Sequence, residues 1–224
     1  MQRGALLSPI LWAFVPYAVM SLLHVALLAF DNPLATPTKL SLMPLLALPV
    51  LIAAPQLRPK ATIAFLLTAI GASWLGDGAA SFFPAAPELP LMLGFFGIAH
   101  LAYIALFLGL LKRRRLPWWT VVYVAWWIAM IATLGPHTGG LLIAVAAYGL
   151  VLAGTAAFAA WCHPLIATGG AFFLASDTLL AFQLFLPDSL PAWSSPAIML
   201  TYTLGQGLIV GGALLALHRR STQS

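Results

Sequence analysis

Two aspartates stand inside long apolar stretches: Asp77 in Trp74-Leu75-Gly76-Asp77-Gly78 and Asp177 in Phe173-Leu174-Ala175-Ser176-Asp177. If those stretches cross a membrane, each ionised carboxylate costs ~2.5–3.5 kcal/mol on insertion scales, so its presence asks for a reason. Hydrogen bonding between helices is one reason, but Asn, Ser or Thr would supply it at lower desolvation cost. Chemistry is the other. Two carboxyl groups facing one space can divide the work of general acid and general base when their surroundings differ. Asp77 and Asp177 are therefore the candidate catalytic pair.

Further polar groups sit in similar company. His100 is in the middle of an apolar segment, with Tyr103 three residues on and so on the same helical face. Gly94 and Gly97 of that segment would let a neighbour or ligand come close. Tyr148 is also mid-segment, and Tyr202 and Gln206 share a face at the i, i+4 spacing. Lys39 opens another segment, where its ammonium could hold a lipid phosphate or simply snorkel to the interface. Lys39, His100, Tyr103, Tyr148, Tyr202 and Gln206 are the candidate substrate-binding residues. His24, His137, His163 and His218 lie near segment ends or in loops and read as interfacial.

The elements that must position these groups follow from composition. Of 224 residues, 62% are hydrophobic and only 7% charged, against roughly 25% in a soluble domain. Ten Lys/Arg and five Asp/Glu cannot cover a water-facing surface of this size. A lipid-facing surface removes the requirement, and there the backbone must satisfy itself as helix or closed barrel. The apolar runs do not alternate and are long enough to span as helices, which excludes a barrel.

Charges and Pro/Gly clusters cut the chain into eight segments, at about 8–30, 39–54, 61–83, 91–111, 117–134, 138–161, 165–186 and 196–217. The expected fold is an all-α, polytopic membrane bundle of eight transmembrane helices in one integral domain, 1–224. The first segment is too long for the apolar region of a signal peptide and lacks a clear cleavage site, so it counts as a span. The second contains Pro44 and Pro49 and is expected to be kinked or tilted. Asp77 is then about 7 residues, or ~10 Å at helical rise, from the outer end of its span.

Arg3, Arg58/Lys60, the Lys112-Arg113-Arg114-Arg115 run and Arg219/Arg220 fall at alternate connections. The opposite connections hold Asp31, Glu88 and Asp188, with Lys39 the one cation on that side. The positive-inside rule puts both termini in the cytoplasm and the carboxylates towards the outer side. Trp118 and Trp119 beside the basic loop and Trp161 suit an interfacial aromatic belt. The net charge of +5 is concentrated in topology signals, which argues against nucleic-acid binding. Cys162 is the lone cysteine and has no metal-ligand spacing. All loops are short, there is no nucleotide or redox cofactor motif, and nothing points to a metal or to an obligatory protein partner.

Taken together, Thr38-Lys39, Gly76-Asp77, Gly97-Ile98-Ala99-His100-Leu101-Ala102-Tyr103, Tyr148, Phe173-Leu174-Ala175-Ser176-Asp177 and Tyr202…Gln206 resemble the YhhN family of membrane proteins. The resemblance runs in order from about residue 38 to 210. It implies a multi-pass protein of the bacterial inner membrane and a hydrolase acting on an ether bond. Family members include lysoplasmalogenases, which cleave the vinyl ether of a lysoplasmalogen to a fatty aldehyde and a glycerophospho-ethanolamine or -choline. The implied partners are thus a lysophospholipid substrate and membrane lipids. The chain departs from the family after Lys39, where proline usually follows sooner than Pro44 does here, and this bears on head-group contacts near Lys39.

Vinyl ether hydrolysis suits the residues: an acid protonates an alkene carbon, and a carboxylate steadies the oxocarbenium ion and activates water. Asp177 is the deeper of the two with more apolar flanks, which favours it as proton donor and Asp77 as base. Two other readings compete. A zinc-dependent lipid amidase of the alkaline-ceramidase type would use His100 with both aspartates, but such sites need several histidines on neighbouring faces. A proton-coupled small-molecule or lipid transporter would use the aspartates as relays. It would usually carry inverted repeats, whereas the echo between Ala72-Ser73…Asp77 and Ala175-Ser176-Asp177 is faint and parallel.

Overall fold

The computed structural model describes residues 7–111 and 115–221. Arg3 and Lys112-Arg113-Arg114 of the predicted basic pattern lie outside these, as do the side chains of Arg219 and Arg220. Among the described residues every regular element is helical. The α-helices are α1 (Leu7–Ala13), α2 (Val15–Ala29), α3 (Ala35–Ala53), α4 (Ala61–Asp77), α5 (Ala79–Phe82), α6 (Glu88–Leu106), α7 (Val122–Leu134), α8 (Leu142–Ala159), α9 (Pro164–Phe185) and α10 (Ser194–Ser221).

Among the described residues seven stretches are long and apolar enough to cross a membrane: Pro9–Ala29, Ala35–Ala53, Glu88–Leu111, Trp118–His137, Gly139–Ala159, Pro164–Phe185 and Ser194–His218. The eighth predicted segment, 61–83, is a shorter apolar helix that stops at Asp77, followed after Gly78 by the single turn of α5. Trp12, Leu22, Ile128, Ile143 and Trp118 are all well exposed on the outside of the bundle. Water would penalise so much exposed apolar surface, and hydrocarbon does not. The protein is an integral, multi-pass membrane protein.

Two boundaries differ from expectation in ways that matter. α3 begins at Ala35, so Lys39 is in its second turn rather than opening it. The α3 helix runs through Pro44 and Pro49 without ending. α4 ends at Asp77, so the carboxylate is at a helix terminus and not a third of the way down a span. A side chain at position 78 would meet the Phe82 ring, whose nearest atom is 2.3 Å from an ideal Cβ, so that ring would have to move to admit one.

α10 is the central helix, packed along α9 and against α2 and α3, and α4 packs along α6. Glycine sets the closest approaches. A Cβ at Gly205 would come within 2.9 Å of the Phe173 backbone nitrogen, and one at Gly169 within 2.8 Å of the Gly205 carbonyl. One at Gly76 would meet the Phe96 ring at 2.8 Å. Gly94 and Gly97, expected to admit a neighbour, face open space. The tight α9–α10 seam and the α4–α6 contact hold the four helices that carry Asp77, His100, Asp177 and Tyr202.

Candidate functional site

Lys39 and Tyr202 converge on Asp77. The Lys39 Nζ lies 3.4 Å from Asp77 Oδ1, and the Tyr202 hydroxyl donates to Asp77 Oδ2 at 2.7 Å. The carboxylate occupies the C-terminal end of α4, the negative end of the helix dipole, where the ammonium offsets an unfavourable position. Behind Tyr202, Gln206 spans the interior. Its Nε2 donates to Ser73 Oγ at 2.9 Å and approaches the Tyr202 oxygen at 3.4 Å, while its Oε1 accepts from the Tyr103 hydroxyl at 2.5 Å.

Asp177 has a different setting. The Tyr148 hydroxyl donates to Asp177 Oδ2 in a short hydrogen bond. Having spent its one proton there, the Tyr148 oxygen is left to accept from His100 Nε2, 3.3 Å away. His100 Nε2 is also 3.9 Å from Asp177 Oδ2. The result is a directional chain from imidazole to phenol to carboxyl. Among the described residues no lysine or arginine pairs with Asp177, and Lys39 pairs with Asp77 alone.

Phe173 and Phe96 stand between the two groups. The Phe173 ring is 4.6 Å from His100 and 5.4 Å from Tyr202, centroid to centroid, and the Phe96 ring packs edge-on to both Phe173 and Tyr202. These aromatics separate the histidine from the lysine side, and sequence reasoning did not select them.

Both carboxylates line one cavity of about 300 Å³, together with Lys39, Glu88, Phe96 and Tyr202. An apolar groove beside it, walled by Leu89, Leu93, Val145, Leu180 and Ala181, reaches Tyr148 and Asp177 from another direction. The lining residues come from the starts of α3, α6, α8 and α10 and the ends of α4 and α9, so the cavity opens at one end of the bundle. Its mouth carries the exposed Glu88, whose place in the first turn of α6 suits a negative charge.

Not every candidate substrate-binding residue reaches the cavity. His100, Tyr103 and Gln206 are fully buried and do not line it. They sit beneath its wall, where Tyr202 links Gln206 to Asp77, and His100 reaches Asp177 through Tyr148 and by its own 3.9 Å approach. Asp77, Asp177, Tyr202, Tyr148 and Lys39 are the candidates on accessible surface. His24 also departs from expectation: it is buried, with Nδ1 3.0 Å from Thr38 Oγ1.

Compared with known protein families, residues 34–213 match the YhhN family, a span that takes in every residue of this site. The chain belongs to the YhhN family. That family includes lysoplasmalogenase-like proteins. No curated protein and no solved structure matches the chain. This YhhN protein has a cavity with two carboxylates in unlike electrostatic surroundings, each held by one tyrosine hydroxyl.

Proposed function

We propose that this protein hydrolyses the vinyl ether bond of a lysoplasmalogen, with Asp177 as proton donor and Asp77 as the carboxylate that steadies the cation and activates water. The observation that carries this reading is the difference between the two carboxyls at one cavity. Asp77 shares an ion pair with an ammonium, which suits a group that works ionised. Asp177 accepts from Tyr148 at Oδ2, leaving Oδ1 to carry a proton towards the cavity, and it has no lysine or arginine partner among the described residues.

The steps balance as follows. Asp177 gives its proton to the alkene carbon remote from the ether oxygen, and the adjacent carbon becomes an oxocarbenium ion. Asp77 stabilises that cation and takes a proton from water as the water oxygen bonds to it. As the hemiacetal breaks its bond to the glycerol oxygen, its hydroxyl proton passes to Asp177 and Asp77 gives the glycerol oxygen the proton taken from water, leaving a fatty aldehyde. One water is consumed and both carboxyls end as they began. The Tyr148–His100 chain holds Asp177 Oδ2 from behind and ends at His100 Nδ1, a buried nitrogen with no hydrogen-bond partner among the described residues. The apolar groove suits the alkenyl chain, and the mouth near Lys39 suits the phosphate.

The test is to incubate purified protein with lysoplasmenyl-ethanolamine in D2O and trap the aldehyde by reduction. The expected product carries one deuterium on the carbon next to the carbonyl carbon. Absence of aldehyde would reject the reaction, and aldehyde without that deuterium would reject alkene protonation.

A further inference from the structure

Next to the carboxylate cavity lies a second one of about 210 Å³, lined by His24, Thr36, Lys39, Gln183, Ser195 and Met199, among others. Lys39 belongs to both cavities. His24 comes from α2, before the start of the region matched to the YhhN family.

The hydrogen bonds around His24 fix what it offers. Thr38 Oγ1 lies 2.8 Å from the Leu34 carbonyl and 2.9 Å from the Ala35 carbonyl, so its single proton goes to the helix backbone. It must then accept from the ring, at the 3.0 Å contact with His24 Nδ1. In the neutral ring this makes Nδ1 the donor and leaves Nε2 as a lone pair. Nε2 is buried and has no partner. A buried acceptor left unmade costs free energy, so it calls for an occupant. The Gln183 Nε2 donates to Ser195 Oγ at 2.9 Å, which orders the opposite wall.

We propose that this second cavity is a head-group subsite in which Lys39 holds the phosphate and His24 Nε2 accepts a hydrogen bond from a protonated amine, so that the protein prefers phosphoethanolamine to phosphocholine head groups. The discrimination is one of valence. The Lys39 ammonium has three donors and uses one on Asp77, leaving others for a phosphate oxygen. A primary ammonium has N–H bonds to give a lone pair; a trimethylammonium has none. The proposal rests on the lipid-substrate reading above, but it concerns binding and is testable without turnover.

The probes are lysophospholipids with a saturated alkyl ether chain, which lack the alkene and cannot be hydrolysed by that route. The head group is varied from ethanolamine through its N-methyl and N,N-dimethyl forms to choline, and Kd is measured on the full-length protein in detergent micelles. Each of the first three keeps an N–H. The expected result is similar affinity for those three and a drop of about tenfold or more at the last methylation, the scale of a hydrogen bond to a charged group. His24→Phe should erase that step without weakening choline binding. A gradual decline with each methyl, equal binding of all four, or a step that survives in His24→Phe would overturn the proposal, leaving Nε2 to a buried water. The methyl series decides by itself if His24→Phe fails to fold. Binding selectivity without aldehyde production would leave the subsite standing and reject the hydrolase reading; aldehyde production without selectivity would do the reverse.

Discussion

Asp77 and Asp177 reach the same cavity, and each accepts a tyrosine hydroxyl, from Tyr202 and Tyr148 respectively. Beyond the tyrosines the two sides diverge. On the Asp77 side a lysine caps the carboxylate and a glutamine, itself held by Ser73 and Tyr103, backs the tyrosine. On the Asp177 side the backing group is His100, a group that can exchange a proton, and no ammonium is paired with the carboxyl among the described residues. Amide and lysine make a fixed electrostatic environment. Imidazole and phenol make a chain of exchangeable protons. The same residue type is thus set in two kinds of surroundings by what stands behind its tyrosine.

The sharpest way to break this comparison is Asp→Asn at each site, which keeps shape and removes proton exchange. Each variant should lose about 10²–10⁴-fold in turnover while remaining folded. The two losses should differ in kind. A small exogenous carboxylate such as formate should restore part of the activity of Asp77→Asn, because it can replace an anion beside the cation. It should do little for Asp177→Asn, whose missing function is a positioned proton. Rescue of the wrong variant, read from aldehyde release, would reverse the roles.

Removing the tyrosine hydroxyls comes next. Tyr148→Phe and Tyr202→Phe each delete one hydrogen bond to a carboxyl, for an expected loss of about 10- to 100-fold. His100→Gln should resemble Tyr148→Phe if the chain to Asp177 carries protons, and Gln206→Leu should be milder than either. Equal effects from His100 and Gln206 variants would mean that both merely position a tyrosine.

How much of this could be read from the chain depends on contrast. Asp77, Asp177, His100 and Lys39 stand out because polar groups in apolar runs are rare, and the helical class follows from the length of those runs. Phe96 and Phe173 give no such contrast; an aromatic in an apolar run looks like any lipid-facing residue until α6, α9 and α10 are packed. His24 misled for a related reason. Its burial comes from α2 lying against α3, a contact between helices that its local sequence does not announce. Glycine was misread in the same way, since Gly97 faces open space while Gly205 holds the seam. Gly205→Ala should therefore destabilise by ~1–3 kcal/mol through overpacking, seen as a lower Tm, and it should disturb both sides of the site at once. Gly97→Ala should leave Tm unchanged.

The smallest expected effect tests whether Lys39 belongs to the chemistry or only surrounds it. Its side chain is about one-third exposed (34%), against 3% for Asp77, so the ion pair is partly screened by solvent. Pairs of that kind contribute ~0–1 kcal/mol, or up to about fivefold in a rate. Lys39→Met keeps the stem and removes the charge, and its effect has two parts. The part that acts through the phosphate should vanish with a 1-alkenylglycerol, which has the vinyl ether and no phosphate. The part that acts through Asp77 should persist with that substrate, as a fall in kcat of no more than about fivefold, and it should shrink as salt is raised in the wild type. Lys39→Arg should recover most of it. A loss of a hundredfold on the neutral substrate would put the ammonium among the reacting groups. Asp77 would then not be distinguished from Asp177 by a supporting charge, and the division of labour drawn from that charge would fail.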